Sequence, residues 1–189
     1  MLYGERIRLR AIEREDAPTF VRWFNDPETR SYLLVLAPMS IAQEERWIES
    51  LANKLDDYVF AIEAKPGDAW RHIGNTGLHR IDWKHRSATF GIVLGERECW
   101  GQGYGADATR TMLAFAFGTL NLHRVELEVF EYNPRAIRCY EKSGFRREGT
   151  RRQSHFHDGR YWDAHIMAAL QDEFANASLR NDVPVLNGA

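Results

Sequence analysis

Two segments hold the residues best placed to do chemistry. The first is Trp100-Gly101-Gln102-Gly103-Tyr104-Gly105-Ala106, where three alternating glycines pass into a helix-compatible run from Ala106 to Leu120. Glycine lets a backbone approach a ligand closely. The first-turn N–H groups of a helix lack intrahelical partners and carry partial positive charge, so such a turn can cradle a phosphate or pyrophosphate. Spaced glycines also make ordinary tight turns, and the second segment adds weight. Asn133-Pro134-Arg135-Ala136-Ile137-Arg138-Cys139-Tyr140-Glu141-Lys142-Ser143-Gly144-Phe145 opens like a helix, with Asn133 as N-cap and Pro134 at the first helical position, and Gly144 closes it.

Together the two segments resemble the GNAT superfamily of acyl-CoA-dependent N-acetyltransferases. Its pyrophosphate loop reads Arg/Gln-x-x-Gly-x-Gly/Ala and its later helix Asn-x-x-Ala-x-x-x-Tyr-x-Lys-x-Gly-Phe, and both patterns occur here in that order. The resemblance runs from about Arg6 to Leu170, and the Trp-Gly-Gln-Gly-Tyr-Gly wording is similar to the branch with ribosomal-protein N-terminal and spermidine acetyltransferases. Trp100 stands at the usual Arg/Gln position, which lowers the expectation of a side-chain phosphate contact and leaves the backbone cradle intact.

Acetyl transfer from a thioester to an amine needs a neutral nucleophile, a stabilised oxyanion and a proton for the departing thiolate. The resemblance implies a splayed strand end beside the pantetheine. Here that strand ends Gly91-Ile92-Val93-Leu94-Gly95, so Ile92, Val93 and Leu94 would line acetyl-CoA and one of their N–H groups would polarise the acetyl carbonyl. Trp100, Gly101, Gln102, Gly103, Tyr104, Gly105 and Ala106 would form the phosphate loop, with Asn133 and Ala136 completing the cofactor side. Tyr140 matches the family tyrosine whose phenol protonates the CoA thiolate. As residues alone, Tyr140 also reads as a core aromatic beside Ile137, and Asn133 as a plain helix cap.

The group that takes the amine proton stays open. Glu126 and Glu128 share one strand face with Arg124 and could equally form a surface ladder; the family's frequent Glu two residues before the Gly91 position is Thr89 here. His79 and His123 could relay a proton, although a single strand histidine is more often structural. His155-x-His157 lacks the carboxylate or cysteine that would complete a zinc set, so no metal is expected.

The 189 residues, 44% apolar and 12% aromatic, fit one domain with a real core. A formal charge of −2 and a pI near 6.4 argue against sequence-independent nucleic-acid binding, and the Arg146, Arg147, Arg151, Arg152 cluster reads as a solvated strand surface. Cys99 and Cys139 lie far apart without Cys-x-x-Cys spacing and the start carries no apolar leader, which points to a reducing, cytoplasmic setting. No apolar run is long enough to cross a bilayer.

Periodicity supplies the elements that must hold these groups. Ile7, Leu9 and Ala11 alternate with Arg6, Arg8 and Arg10 as a half-buried strand. Ala17 to Phe24 is a helix stopped by Asn25-Asp26-Pro27, and the capping box Ser40-Ile41-Ala42-Gln43 opens another toward Asn53. Tyr58 to Ala64, Ile73 to Ile81 and Ser87 to Leu94 form hairpin-linked strands. In the glycine-led helix, Thr109, Met112, Leu113, Ala116, Phe117 and Leu120 fall on one face. His123 to Val129 is a strand, and Phe145 to His157 with Arg160 to Leu170 flank an Asp158-Gly159 turn as a closing hairpin. The expected fold is α/β of the α+β kind, with a mixed, mostly antiparallel sheet of about seven strands and about four flanking helices over residues 6–170. Residues 171–189 read as an extra helical turn and a tail.

The function expected is acetyl transfer from acetyl-CoA to a primary amine: a protein N-terminus, a polyamine or a small-molecule amine. The acceptor groove would lie between the early helices and the closing hairpin, with Trp23, Phe24, Tyr32, Trp47 and Trp162 as candidate lining. The alternative of another class is a non-catalytic acyl-CoA sensor or scaffold. A homodimer is plausible from the tryptophans and the terminal strand.

Overall fold

Alternation makes the first long strand, and the computed structural model, which describes residues 1–180, shows why it is held. Ile7 and Leu9 are buried under the sheet while Arg8 and Arg10 on the other face reach Glu63 of the neighbouring strand. Ala11, expected on the buried side, is exposed at the strand's end. In chain order the strands are β1 (Leu2–Tyr3), β2 (Ile7–Ala11), β3 (Tyr58–Ala64), β4 (Arg71–Asp82), β5 (Ser87–Leu94), β6 (Arg124–Phe130), β7 (Arg146–His157) and β8 (Arg160–Leu170). The helices are α1 (Ala17–Asn25), α2 (Pro27–Arg30), α3 (Ile41–Leu51), α4 (Tyr104–Ala114), α5 (Pro134–Lys142) and α6 (Gln171–Arg180).

All eight strands form one sheet in the order β1-β2-β3-β4-β5-β6-β8-β7. Every neighbouring pair is antiparallel except β5 with β6. The extra strand is the two-residue edge β1, and the extra helices are the single turn α2 and α6, which extends the expected turn after Leu170 to Arg180. The end of the expected tail, 181–189, lies outside the described residues.

The main core lies between the sheet and α4 with the π-helical turn Phe115–Thr119 that continues it, where Ala108, Met112, Leu113, Ala116 and Phe117 are buried with Ile62, Ile73, Leu78, Val125 and Leu127. A smaller core gathers Phe20, Trp23 and Ile48 where α1 crosses α3. The local signals act as their chemistry dictates. Ser40 Oγ accepts from the Gln43 N–H at 3.2 Å and Gln43 Oε1 accepts from the Ser40 N–H at 2.9 Å, closing the capping box of α3. Asp158 and Gly159 both take positive φ, +50° and +78°, as the two-residue hairpin turn requires.

Candidate active site

Beyond its first residues β5 loses its parallel neighbour. It pairs with β6 only through Ser87↔Arg124, Ala88↔Val125 and Thr89↔Glu126, and from Phe90 onward the two strands diverge. Diverging strands open a cleft at the C-terminal end of a sheet, with backbone groups of β5 facing it. A cavity of about 660 Å³ fills this opening. Its walls come from β5 (Ile92, Val93, Leu94), the glycine turn (Trp100, Gly101, Gly103, Gly105, Ala106), β6 (Glu128, Phe130) and α5 with its cap (Asn133, Ala136, Tyr140).

The glycine turn is shaped by torsion. Gly101 and Gly103 have φ of +74° and +91°, a left-handed region that suits glycine, and nothing crowds a side chain at Gly101. Gly103 is the N-cap of α4. Behind it, Arg6 donates to the Gln102 carbonyl at 2.8 Å and lies 4.5 Å above the Tyr104 ring, and Asp107 accepts from the Arg6 N–H at 2.7 Å. The start of β2 therefore braces the turn from the rear, leaving its front toward the cavity.

Two expected residues sit apart from this front. Gln102 is exposed, its amide donating to the Glu98 carbonyl, and the Tyr104 ring is buried under Arg6. Neither side chain lines the cavity; their backbone belongs to the turn. Trp100, in place of the usual Arg or Gln, binds within the protein: its indole N–H donates to the Leu94 carbonyl at 2.7 Å, fixing the end of β5, and its ring carries the Arg135 guanidinium at 3.9 Å. Gly95, just beyond, is required because a Cβ there would meet Trp23 at 1.9 Å.

Asn133 caps α5, its side chain accepting from the Ala136 N–H at 3.1 Å, and it faces the cavity as well. Tyr140 is buried edge-on between Phe90 and Phe145 with its ring on the cavity wall. Among the described residues its hydroxyl has no hydrogen-bond partner. Burial drives its acidity far down, so the phenol stays protonated across the physiological range.

Of the proton-acceptor candidates only Glu128 lines the cavity. It pairs with Arg151 at 2.5 Å, whereas Glu126 turns to Arg124 at 3.2 Å. His79 pairs with Asp57. Among the five aromatic candidates for the acceptor groove, Tyr32 lines the cavity, Trp162 does not and packs on Tyr132, and Trp23, Phe24 and Trp47 pack around Phe20. His155 and His157 stack on Phe130 and Tyr132, and among the described residues no His, Cys, Asp and Glu side chains converge as a metal set.

Arg135, Arg138 and Lys142 also line the cavity, and the sequence reading passed them over. The signal was available: positions i, i+3 and i+7 of one helix lie on one face. Cations at this mouth and glycines in left-handed torsion beside a helix N-terminus fit a negatively charged, phosphate-bearing ligand.

The family described as acetyltransferase (GNAT) domain matches residues 6–146. A Bacillus licheniformis protein described as an uncharacterized N-acetyltransferase p20 is 30% identical over 177 residues, covering 92% of this chain and 98% of that protein. The spermidine N(1)-acetyltransferase of Vibrio cholerae is 32% identical over 176 residues, covering 93% and 99%. The crystal structure of the Vibrio cholerae spermidine N-acetyltransferase in complex with CoA and spermine superposes with a TM-score of 0.82 at 30% identity, over 92% of this chain and all of that one.

Proposed function

The chain belongs to the GNAT acetyltransferase family and transfers acetyl groups from acetyl-CoA to amines, and from that premise we propose which of its residues do so. The turn Gly101 to Ala106, the first N–H groups of α4, and Arg135, Arg138 and Lys142 hold the diphosphate. Ile92, Val93 and Leu94 line the pantetheine, and one of their N–H groups, left without a strand partner by the divergence of β5 from β6, polarises the acetyl carbonyl.

The amine nitrogen attacks the carbonyl carbon directly. As the new C–N bond forms and the C–S bond breaks, Glu128 takes the proton released from nitrogen, directly or through one water, and Tyr140 gives its phenolic proton to the leaving sulfur. The observation that carries this reading is that one cleft holds both a phenol free to donate and a carboxylate, beside unpaired strand backbone. The sensor alternative would need the proton donor to be missing, and Tyr140 is present. Calorimetry with acetyl-CoA, followed by thiol release against a panel of amines, tests the reading: binding without turnover on any amine would favour a sensor. The likeness to spermidine acetyltransferases supports a polyamine as one acceptor to assay.

A further inference from the structure

Beside the cleft, aromatic rings from separate parts of the chain meet without being buried. Tyr132, in the turn between β6 and α5, lies nearly parallel to His157 at 4.8 Å and to Phe130 at 5.3 Å, with Trp162 at 5.2 Å and Tyr32 at 6.2 Å. Phe130 stacks on His155 at 4.0 Å. Each of these rings is half-exposed, which is unusual for so many aromatics in mutual contact unless the surface is used. Leu33 and Leu34 continue the apolar surface along the cavity, with Leu34 72% exposed.

The charges argue against a polycation here. The cavity is lined by one carboxylate, Glu128, already on Arg151. The two ring faces best suited to an ammonium are occupied by the protein's own guanidiniums: Arg135 at 3.9 Å over Trp100 and Arg160 at 3.4 Å over Trp162. Asp158, whose charge acts on Tyr132, lies 3.3 Å from His157. Within the cavity a second ammonium on the acceptor would meet no carboxylate besides Glu128. Burial and the neighbouring His157 lower the His155 pKa, so that ring adds a flat neutral face rather than a charge.

Resting on the acetyl-transfer reading above, we propose that the preferred acceptor is a primary monoamine bearing a flat aromatic ring on a short alkyl chain, the ring lying on the Tyr132 ledge and the amine reaching Glu128. Aromatic contact with the Tyr132 ledge would orient the ring, and the single amine, delivered neutral, would need no second carboxylate.

The test compares kcat/KM of the full chain at saturating acetyl-CoA for phenethylamine, tryptamine, n-hexylamine, putrescine and spermidine. The aryl amines are expected to exceed n-hexylamine and spermidine by about tenfold or more. Tyr132→Leu should lower the phenethylamine-to-hexylamine ratio about tenfold, chiefly through KM, while Tyr132→Phe, which keeps the ring, preserves it. Thermal melting and acetyl-CoA affinity of each variant report whether it has folded. A preference for spermidine or putrescine, absence of turnover with every aryl amine, or equal losses for both test amines in Tyr132→Leu would overturn the proposal. Tyr140→Phe probes the catalytic roles with whichever amine is used, so the two readings can fail separately.

Discussion

Around β2, β3 and the start of α1 the chain answers its charges internally, whereas along α5 it leaves them unanswered. In the first region Arg10 gives two hydrogen bonds to Asp16, at 2.7 and 2.8 Å, and one to Glu63 at 2.9 Å, and His72 Nδ1 lies 3.2 Å from Asp16. Close by, Glu96 lies between Arg22 and Arg71 and accepts the Trp23 indole N–H at 2.9 Å. In the second region Arg135, Arg138 and Lys142 have no ion-pair partner among the described residues, and the Tyr140 hydroxyl has no acceptor. Partnered groups hold a fold together; groups displayed without partners at a cavity mark where a ligand supplies them.

If that contrast is right, Tyr140→Phe should be the most damaging change to activity and among the mildest to stability. A general acid is worth about 100- to 10,000-fold in rate, and kcat should fall in that range while acetyl-CoA affinity by calorimetry moves far less. The melting temperature should stay close to that of the parent. Unchanged turnover would remove Tyr140 from the acid role.

The reverse pattern is expected across the sheet. Asp16→Ala leaves the Arg10 guanidinium largely buried with one carboxylate fewer, at a cost of about 3 kcal/mol in unfolding free energy by denaturant titration. Although burial raises the Asp16 pKa, its bonds from Arg10 and His72 outweigh that and hold it well below the usual carboxylate range. A depressed folded pKa means the unfolded chain binds the proton first, so this stabilisation is present above the model-compound value of 3.8 and fades as pH falls below it. Asp16→Asn should lose that part of the acid dependence.

A third test separates the regions by ligand. Arg135→Ala and Arg138→Ala should each weaken acetyl-CoA binding about tenfold, more at low salt than at high, with little change in melting temperature. Equal weakening of a CoA analogue lacking the diphosphate would mean that the cations serve another part of the ligand.

Much of this contrast could be read in the chain. The glycines at 101 and 103, the Asn133 cap and the Asp158-Gly159 turn are short-range signals whose backbone requirements do not depend on distant contacts, and the structure places each where its chemistry requires. The alternating strands and the buried face of α4 were legible for the same reason. What escaped depends on pairing across the sheet. Tyr132 meets His157 and Trp162 only because β8 lies between β6 and β7, an order no local pattern encodes. Trp100 reads as a lost phosphate contact until Leu94 and Arg135 are brought to it. Glu128 and Glu126 share a strand face in the sequence, and only the divergence of β5 from β6 turns one of them to the cavity.

Glu44 is where the comparison is most exposed, because it breaks the rule on the well-partnered side. It lies in the first turn of α3, where an acid helps the helix dipole and would be expected in solvent, yet the residue is 1% exposed and its Oε1 has no hydrogen-bond partner. Burial pushes its pKa up to about 7. The unfolded chain gives up this proton near the model-compound value of 4.5 while the folded protein keeps it, so stability falls as pH rises from there to about 7 and levels off above. Glu44→Gln removes the charge and nearly keeps the shape. Its melting temperature should match the parent near pH 5 and exceed it above pH 7, by an amount equivalent to about 2 kcal/mol. Two parallel melting curves against pH would instead show that the carboxyl finds a partner on ionising, and that the N-terminal region answers this charge as it answers Asp16.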